Sequence, residues 1–277
     1  MMKEYIKRVF NYIFRGIPNV HVNVSVSQIQ YGGILSGRKI LITGGNSGIG
    51  LAIAKKCIAE GAEVLIVGRN GQKLKETVSV LGEKCKYLQF DVSCIEAIDE
   101  TLKEAEKIIG GEFDALVLNA GISLHEENIL KVTVEDYEKQ FQTNLESAYF
   151  MAQSFLKNKT PKKEANLLFM SSERGHQCDD VPYGLTKAGI NSLVRGLSRR
   201  FYREGVRVNA IAPGITVSGM TNISENDNLY LERVAPGRVF LPEEVAEAAC
   251  FLLSDAAKCI SGEIIACDAG EYLSSYF

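Results

Sequence analysis

A tyrosine and a lysine separated by three residues, in Tyr183-Gly-Leu-Thr-Lys187, carry the most chemical content in the chain. On a helix, side chains at i and i+4 lie one turn apart on the same face. An ammonium beside a phenol favours the phenolate, so the spacing predicts a tyrosine whose pKa falls from about 10 towards neutrality. A phenol tuned in this way can give or take a proton at a carbonyl or alcohol oxygen. The element that must hold the pair is a helix. Asp180 is placed to cap it, and Pro182 falls in its first turn, where a missing N–H is tolerated.

The second cluster is Thr43-Gly-Gly-Asn-Ser-Gly48-Ile-Gly50, directly after a short apolar stretch. Glycines at a strand-to-helix turn let the backbone approach a pyrophosphate, and the helix start supplies free N–H groups and a positive dipole end. The spacing here is Gly44-x-x-x-Gly48-x-Gly50 rather than G-x-G-x-x-G.

Around these clusters the chain alternates short apolar runs with helical periodicity. Strands are expected at 38–43, 62–67, 87–90, 113–118, 165–170, 206–211 and 263–267. Helices are expected after the glycine turn to about 60, then at 72–81, 95–109, 134–156, from Tyr183 to about 203, and at 242–253. Strands of β-branched and aliphatic residues between helices imply a parallel sheet covered on both faces. The expected fold is therefore α/β: one doubly wound, Rossmann-type domain over 37–277 with about seven strands and right-handed crossovers.

Residues 1–36 read differently. Ile6, Val9, Phe10, Ile13, Phe14 and Ile17 recur at helical spacing among Lys3, Lys7, Arg8 and Arg15, and residues 20–26 alternate like a half-exposed strand. The expectation is an N-terminal helix–strand extension docked on its own domain or a neighbouring subunit. The rival reading lays residues 3–17 on a membrane surface.

With 46% hydrophobic residues in 277, the chain can bury a full core. A net charge of −3 without a basic run argues against nucleic-acid binding, and no apolar run is long enough to span a membrane. Seven cysteines without a CxxC pair and three scattered histidines give no metal-site spacing and suit a reducing, cytoplasmic compartment.

Thr-Gly-x-x-x-Gly-x-Gly together with Tyr-x-x-x-Lys resembles the short-chain dehydrogenase/reductase family. Further family motifs stand in order: Asn119-Ala120-Gly121, Asn144 within Thr143-Asn144-Leu145, Ser171-Ser172, and Pro213-Gly214. The resemblance covers roughly 36–270. Its ending, Gly262–Gly270 with Arg238 and Leu241-Pro-Glu-Glu244, is similar to bacterial 3-oxoacyl-acyl-carrier-protein reductases.

The resemblance implies catalytic roles for four residues. Tyr183 would be the general acid in reduction, or the base in oxidation. Lys187 would lower its pKa and bind the nicotinamide ribose. Ser172 would polarise the substrate carbonyl, preferred over Ser171 because Gly175 completes Ser-x-x-Gly. Asn144 would hold a water in a proton relay with Lys187. Ser172 precedes Tyr183 by only 11 residues, so a trimmed loop is expected between them.

For the cofactor the resemblance implies Thr43, Gly44, Asn46, Ser47, Gly48, Ile49 and Gly50 at the phosphates, and Asp91 and Val92 at the adenine. Asn119 would stabilise the central strands and, with Ala120 and Gly121, border the cofactor, Gly121 leaving room for it. After Pro213 and Gly214, Ser218 would replace the usual threonine at the nicotinamide amide. Gly68 stands where NAD-selective relatives place an acid, and the following Arg69 could fork onto a 2′-phosphate. NADP(H) is expected over NAD(H). A polar lid is expected over 218–235, with Tyr230 and Leu231 either facing substrate or anchoring the lid. His176 and Cys178 are read as loop residues.

The expected activity is hydride exchange between NADP(H) and a small-molecule carbonyl or secondary alcohol, in the direction of ketone reduction, by a homodimer or homotetramer. The alternative is a non-catalytic dinucleotide-binding sensor or scaffold, which would have no use for the tyrosine–lysine pair.

Overall fold

Each strand carries apolar residues on both of its faces, which forces a layer of helices onto each side. In the computed structural model, which describes residues 32–224, 227–232 and 234–276, Ile40 and Ile42 of the first strand enter one core. Leu41 between them enters the other. Seven strands form one parallel sheet in the order β3-β2-β1-β4-β5-β6-β7. They are β1 (Lys39–Thr43), β2 (Glu63–Gly68), β3 (Cys85–Gln89), β4 (Ala115–Leu118), β5 (Ala165–Met170), β6 (Val206–Pro213) and β7 (Ile264–Cys267).

Helices α1 (Gly48–Ala59) and α7 (Pro242–Leu253) pack one face with Ile53, Cys57, Val245 and Ala249. Helices α3 (Ile98–Ile109), α5 (Ser147–Asn158) and α6 (Pro182–Phe201) cover the other with Leu102, Met151, Ile190 and Val194. Helix α2 (Gly71–Leu81) lies beside β3 and α4 (Val134–Phe141) precedes α5. The strand order reverses between β1 and β4. At such a switch point the loops leave the strand ends in opposite directions and open a crevice.

The boundaries expected from the sequence hold to within two residues for most elements. One element differs in kind. The helix expected over 134–156 is interrupted by a π-helical segment, Gln142–Glu146, which contains Asn144. A π turn inserts a residue into the i→i+4 ladder, a register change that apolar periodicity does not reveal.

The expected helix at 3–17 and strand at 20–26 lie outside the described residues. Packing of the domain reaches back to Leu35, which is fully buried and donates its N–H to the Glu60 carbonyl at 3.0 Å. Among the described residues, no helix is long and apolar enough to cross a membrane. All seven cysteines are free thiols.

Candidate active site

The glycine turn is shaped by close backbone approach. A Cβ on Gly50 would lie 2.4 Å from the Gly44 carbonyl oxygen and 2.5 Å from Asn119 Nδ2, so only glycine fits. Gly44 and Gly48 have φ of +67 and +50, the left-handed region. The N-cap of α1, Ser47, makes no side-chain capping bond, and its first turn holds no acidic residue. The opening N–H groups of α1 are thus left to an outside acceptor, which fits the phosphates of a dinucleotide.

Thr43 and Asn119 serve the turn from behind. The buried Thr43 hydroxyl accepts the N–H groups of Asn119 and Ala120, both at 2.9 Å, and Asn119 Nδ2 donates to the Thr43 carbonyl at 2.9 Å. This ties the end of β1 to the end of β4. Thr43, expected among the cofactor contacts, is instead spent on this tie, because its oxygen lies under the turn and off the cleft lining.

A cleft of about 710 Å³ opens at these strand ends, a size suited to a small-molecule site. It is lined by Gly44, Ser47, Gly48 and Ile49, by Asn119, Ala120 and Gly121, by Ser172, Tyr183 and Lys187, and by Pro213, Gly214 and Ser218. The expected residues Asn46, Gly50, Arg69, Asp91, Val92 and Asn144 are not on that lining. Asp91 accepts both the N–H (3.0 Å) and hydroxyl (2.8 Å) of Ser93, and Val92 is buried. Arg69 is exposed at the end of β2. A smaller cavity, about 270 Å³, lies among Arg38, Asp114, Arg207 and Asp255, and none of the motif residues lines it.

Helix α6 presents Tyr183 and Lys187 to the cleft. Its start differs from expectation: Val181 is the N-cap, with Pro182 at the first helical position. Asp180 does not cap it. The neighbouring Asp179 accepts the Val181 N–H at 3.1 Å, while Asp180 is drawn away to the N–H of Ile129 at 3.2 Å.

Lys187 is buried and donates from Nζ to the Met170 carbonyl at 2.8 Å. Desolvation lowers its pKa to about 8. Its Nζ stands 5.6 Å from the centre of the Tyr183 ring. The tyrosine is accordingly not pulled towards neutrality, as the spacing suggested. Burial raises its pKa above 10, opposed by a hydrogen bond with Ser172 and by the Arg174 charge, and aided by Glu173. The reason is mutual: the burial that weakens the lysine's hold on its proton also disfavours a phenolate.

The lysine shift has a stability consequence with a definite sign. Between about 8 and its ordinary 10.5, the unfolded chain binds a proton that the folded chain has released, so stability rises with pH across that window. Below about 8 the buried charge carries its full penalty. Lys187→Met removes it. Urea denaturation should therefore give the variant its largest relative advantage near pH 7, shrinking by up to about 1.4 kcal/mol per pH unit as pH rises towards 10. A gap that does not change with pH contradicts the desolvated lysine.

The two serines divide their work. Ser171 is buried and donates to Asn191 Oδ1 at 2.6 Å, whereas the Ser172 hydroxyl meets the Tyr183 phenol and accepts the Arg174 N–H at 3.3 Å. Asn144 faces the same centre from behind. Its Oδ1 accepts the Ile122 N–H at 2.8 Å, and its Nδ2 donates to the Ile122 carbonyl (2.9 Å) and the Thr186 hydroxyl (3.3 Å). Both amide hydrogens are thereby used, leaving Oδ1 one lone pair for any water. A Cβ on Gly121 would lie 3.3 Å from Asn144 Oδ1 and 3.5 Å from Lys187 Nζ, filling the space between them.

The expected lid is anchored by a small core of Val217, Leu229 and Val239, against which Leu231 packs, and Tyr230 forms a bridge to Arg238. Glu225, Asn226 and Arg233 of the lid lie outside the described residues. Tyr230 and Leu231 therefore anchor the segment, and Met220, Thr221, Asn222 and Ile223 line the cleft in their place. Ser218 shares a hydroxyl contact of 3.3 Å with Thr221.

His125, also on the lining, donates from Nε2 to the Met220 carbonyl at 2.9 Å and so joins the two rims. Nothing in its sequence surroundings marks it. Arg174 was missed as well, although a charged pair between Ser172 and Gly175 was a visible signal. His176 packs against Tyr272 with the rings tilted by 31° and their centres 4.8 Å apart, and neither it nor Cys178 reaches the lining.

The comparisons agree with this geometry. A family model described as enoyl-(acyl carrier protein) reductase matches residues 44–271. The chain is 31% identical over 246 residues to a 3-oxoacyl-(acyl-carrier-protein) reductase of Aquifex aeolicus, covering 86% of this chain and 98% of that one. It is 30% identical over 246 residues to gluconate 5-dehydrogenase of Gluconobacter oxydans, covering 85% and 95%. A crystal structure of the 3-ketoacyl-(acyl-carrier-protein) reductase from Brucella melitensis, complexed with NADH, superposes with a TM-score of 0.78 at 26% identity, over 86% of this chain and 99% of that one. With its switch-point cleft, glycine turn and tyrosine–lysine helix, the chain belongs to the short-chain dehydrogenase/reductase family of oxidoreductases, which act on a carbonyl or alcohol with a nicotinamide cofactor.

Proposed function

We propose that the protein reduces a ketone to a secondary alcohol with NADPH, using Tyr183 as the proton donor. The observation that carries this reading is the meeting of Ser172 and Tyr183 hydroxyls on the cleft that the glycine turn also lines, with the Lys187 ammonium behind them. Bound nicotinamide supplies the hydride, and the proton and the electrostatic support come from the protein.

Ser172 donates to the carbonyl oxygen and stabilises the charge that develops on it. Tyr183 gives that oxygen its proton. A phenol held above 10 is protonated at neutral pH, the form that donates, which favours reduction over oxidation. Lys187, gripped by the Met170 carbonyl, sits where it can move a proton to the phenol and bind a ribose hydroxyl. Asn144 offers its remaining lone pair to the water that would link Lys187 to solvent.

The preference for the phosphorylated cofactor rests on the end of β2. Gly68 presents no carboxylate. A Cβ there would lie 3.2 Å from Asn46 Oδ1, and the exposed Arg69 follows. Arg69→Ala should weaken NADPH binding by about tenfold, the scale of one charge-assisted hydrogen bond, and leave NADH binding unchanged. Fluorescence titration of both nucleotides measures this, and equal weakening of both would remove the basis for the preference.

The homo-oligomer expected from the sequence is kept in this reading. An apolar strip on α4 to α6, with Phe141, Leu145, Tyr149 and Leu193, is the surface that supports it.

A further inference from the structure

The loop between Ser172 and Tyr183 holds a charged device that the reaction itself does not need. After Ser172 the chain makes a single 3-10 turn, Glu173–Gly175. Arg174 on that turn grips Asp179 with two parallel bonds, Nε to Oδ2 at 2.5 Å and Nη2 to Oδ1 at 2.7 Å. Asp179 stands two residues before the Val181 N-cap, with its carboxylate against the first turn of α6. A Cβ on Gly184 would fall 1.8 Å from its Oδ2, so glycine beside the catalytic tyrosine is what lets the carboxylate rest there.

The pair is asymmetric. The Asp179 side chain is 4% exposed and that of Arg174 44% exposed, so the anion is enclosed and the cation faces outward. Arg174 lines the same cleft as Ser172 and Tyr183, and its charge and that of the phenolate stabilise one another.

We infer that Arg174 is a specificity residue that binds a carboxylate carried by the ketone substrate. This rests on the ketone-reduction reading above. A guanidinium has five N–H donors in a fixed plane, and the side-on grip of Asp179 takes two. The three that remain include the end-on fork between Nη1 and Nη2, whose spacing matches a second carboxylate. Asp179 fixes the fork in advance, so the substrate does not have to order a free arginine.

The neighbouring Glu173 also lines the cleft, but one of its carboxylate oxygens is enclosed by protein. Arg174 is the cation that this turn places on the cleft lining. A negative group on the substrate is drawn to Arg174, which sets the distance from that group to the carbonyl held between Ser172 and Tyr183.

The test compares a keto acid with its own methyl ester, the same skeleton with and without the charge. Values of kcat/KM with NADPH would be measured for wild type, Arg174→Ala and Arg174→Lys. Wild type should favour the acid by about tenfold or more, the scale of a charge-assisted over a neutral contact. The acid-to-ester ratio should fall to about one in Arg174→Ala and lie between the two in Arg174→Lys, which keeps the charge without the fork.

Damage from losing the Asp179 grip would affect both substrates, so the ratio separates recognition from positioning of the loop. A wild-type ratio near one, or the same ratio in wild type and Arg174→Ala, overturns the inference while leaving ketone reduction standing. No turnover of acid, ester or any other ketone by nucleotide-bound enzyme overturns the reduction reading and this inference with it.

Discussion

Replacing Tyr183 with phenylalanine will lower kcat/KM for ketone reduction by roughly 10²–10⁴-fold, the range that a positioned general acid contributes. In the proposed reading the phosphates lie at the turn of Gly44–Gly50 and the phenol at the reacting end of the cleft, so the affinity for the nucleotide should change little. The substitution removes a single oxygen. What is lost is the proton donor and the hydrogen bond with Ser172, while the ring keeps its place on α6 above Lys187. Steady-state kinetics beside fluorescence titration separates the two effects. A fall of less than tenfold would mean that the proton comes from elsewhere. A large loss of nucleotide affinity would mean that Tyr183 acts in binding.

The second large effect is expected at Gly50. Alanine there places a Cβ 2.4 Å from the Gly44 carbonyl oxygen and 2.5 Å from Asn119 Nδ2. The first neighbour is backbone and cannot rotate away, so α1 must shift from β1 or the turn must open. Overpacking of this kind costs about 1–3 kcal/mol in stability. The functional cost is larger. The N–H groups at the start of α1 are aimed by this contact, and the Asn119 amide that it would displace ties β1 to β4. NADPH affinity should fall by at least about tenfold in a protein that still folds, read from fluorescence titration beside urea denaturation. Normal affinity in a folded Gly50→Ala protein would show that the turn is not the phosphate cradle.

Most of the fold was legible in the sequence because a parallel sheet buries both faces. Continuous runs such as 165–170, bounded by helical periodicity, then leave little choice of architecture. The residues lining the cleft were legible for a related reason. A glycine in a strand-to-helix turn, or a tyrosine and lysine one turn apart, announces a local geometry that sequence spacing alone defines.

What escaped was set by tertiary contact. The π segment around Asn144 is a register change that goes with the bonds between its amide and Ile122, 22 residues away. The cap of α6 passed from Asp180 to Val181 because Ile129 competes for the Asp180 carboxylate. The tyrosine pKa went the other way because spacing places two groups together without saying how deeply they are buried, and burial is the larger effect here. Arg174 and His125 owe their positions to partners, Asp179 and Met220, that no motif links to them.

In the proposed reaction hydride passes between nicotinamide and a substrate carbonyl at Tyr183. It is tested most directly by turning over a panel of ketones with NADPH deuterated at the transferring position of the nicotinamide C4. The panel would include a β-ketoacyl thioester, a keto acid, a cyclic ketone and, as a contrast, an enoyl thioester. One deuterium is expected on the carbinol carbon for each NADPH oxidised, with both signals lost together in Tyr183→Phe. NADPH binding without oxidation by any ketone, label delivered only to the enoyl carbon, or label transfer undiminished in Tyr183→Phe would contradict it.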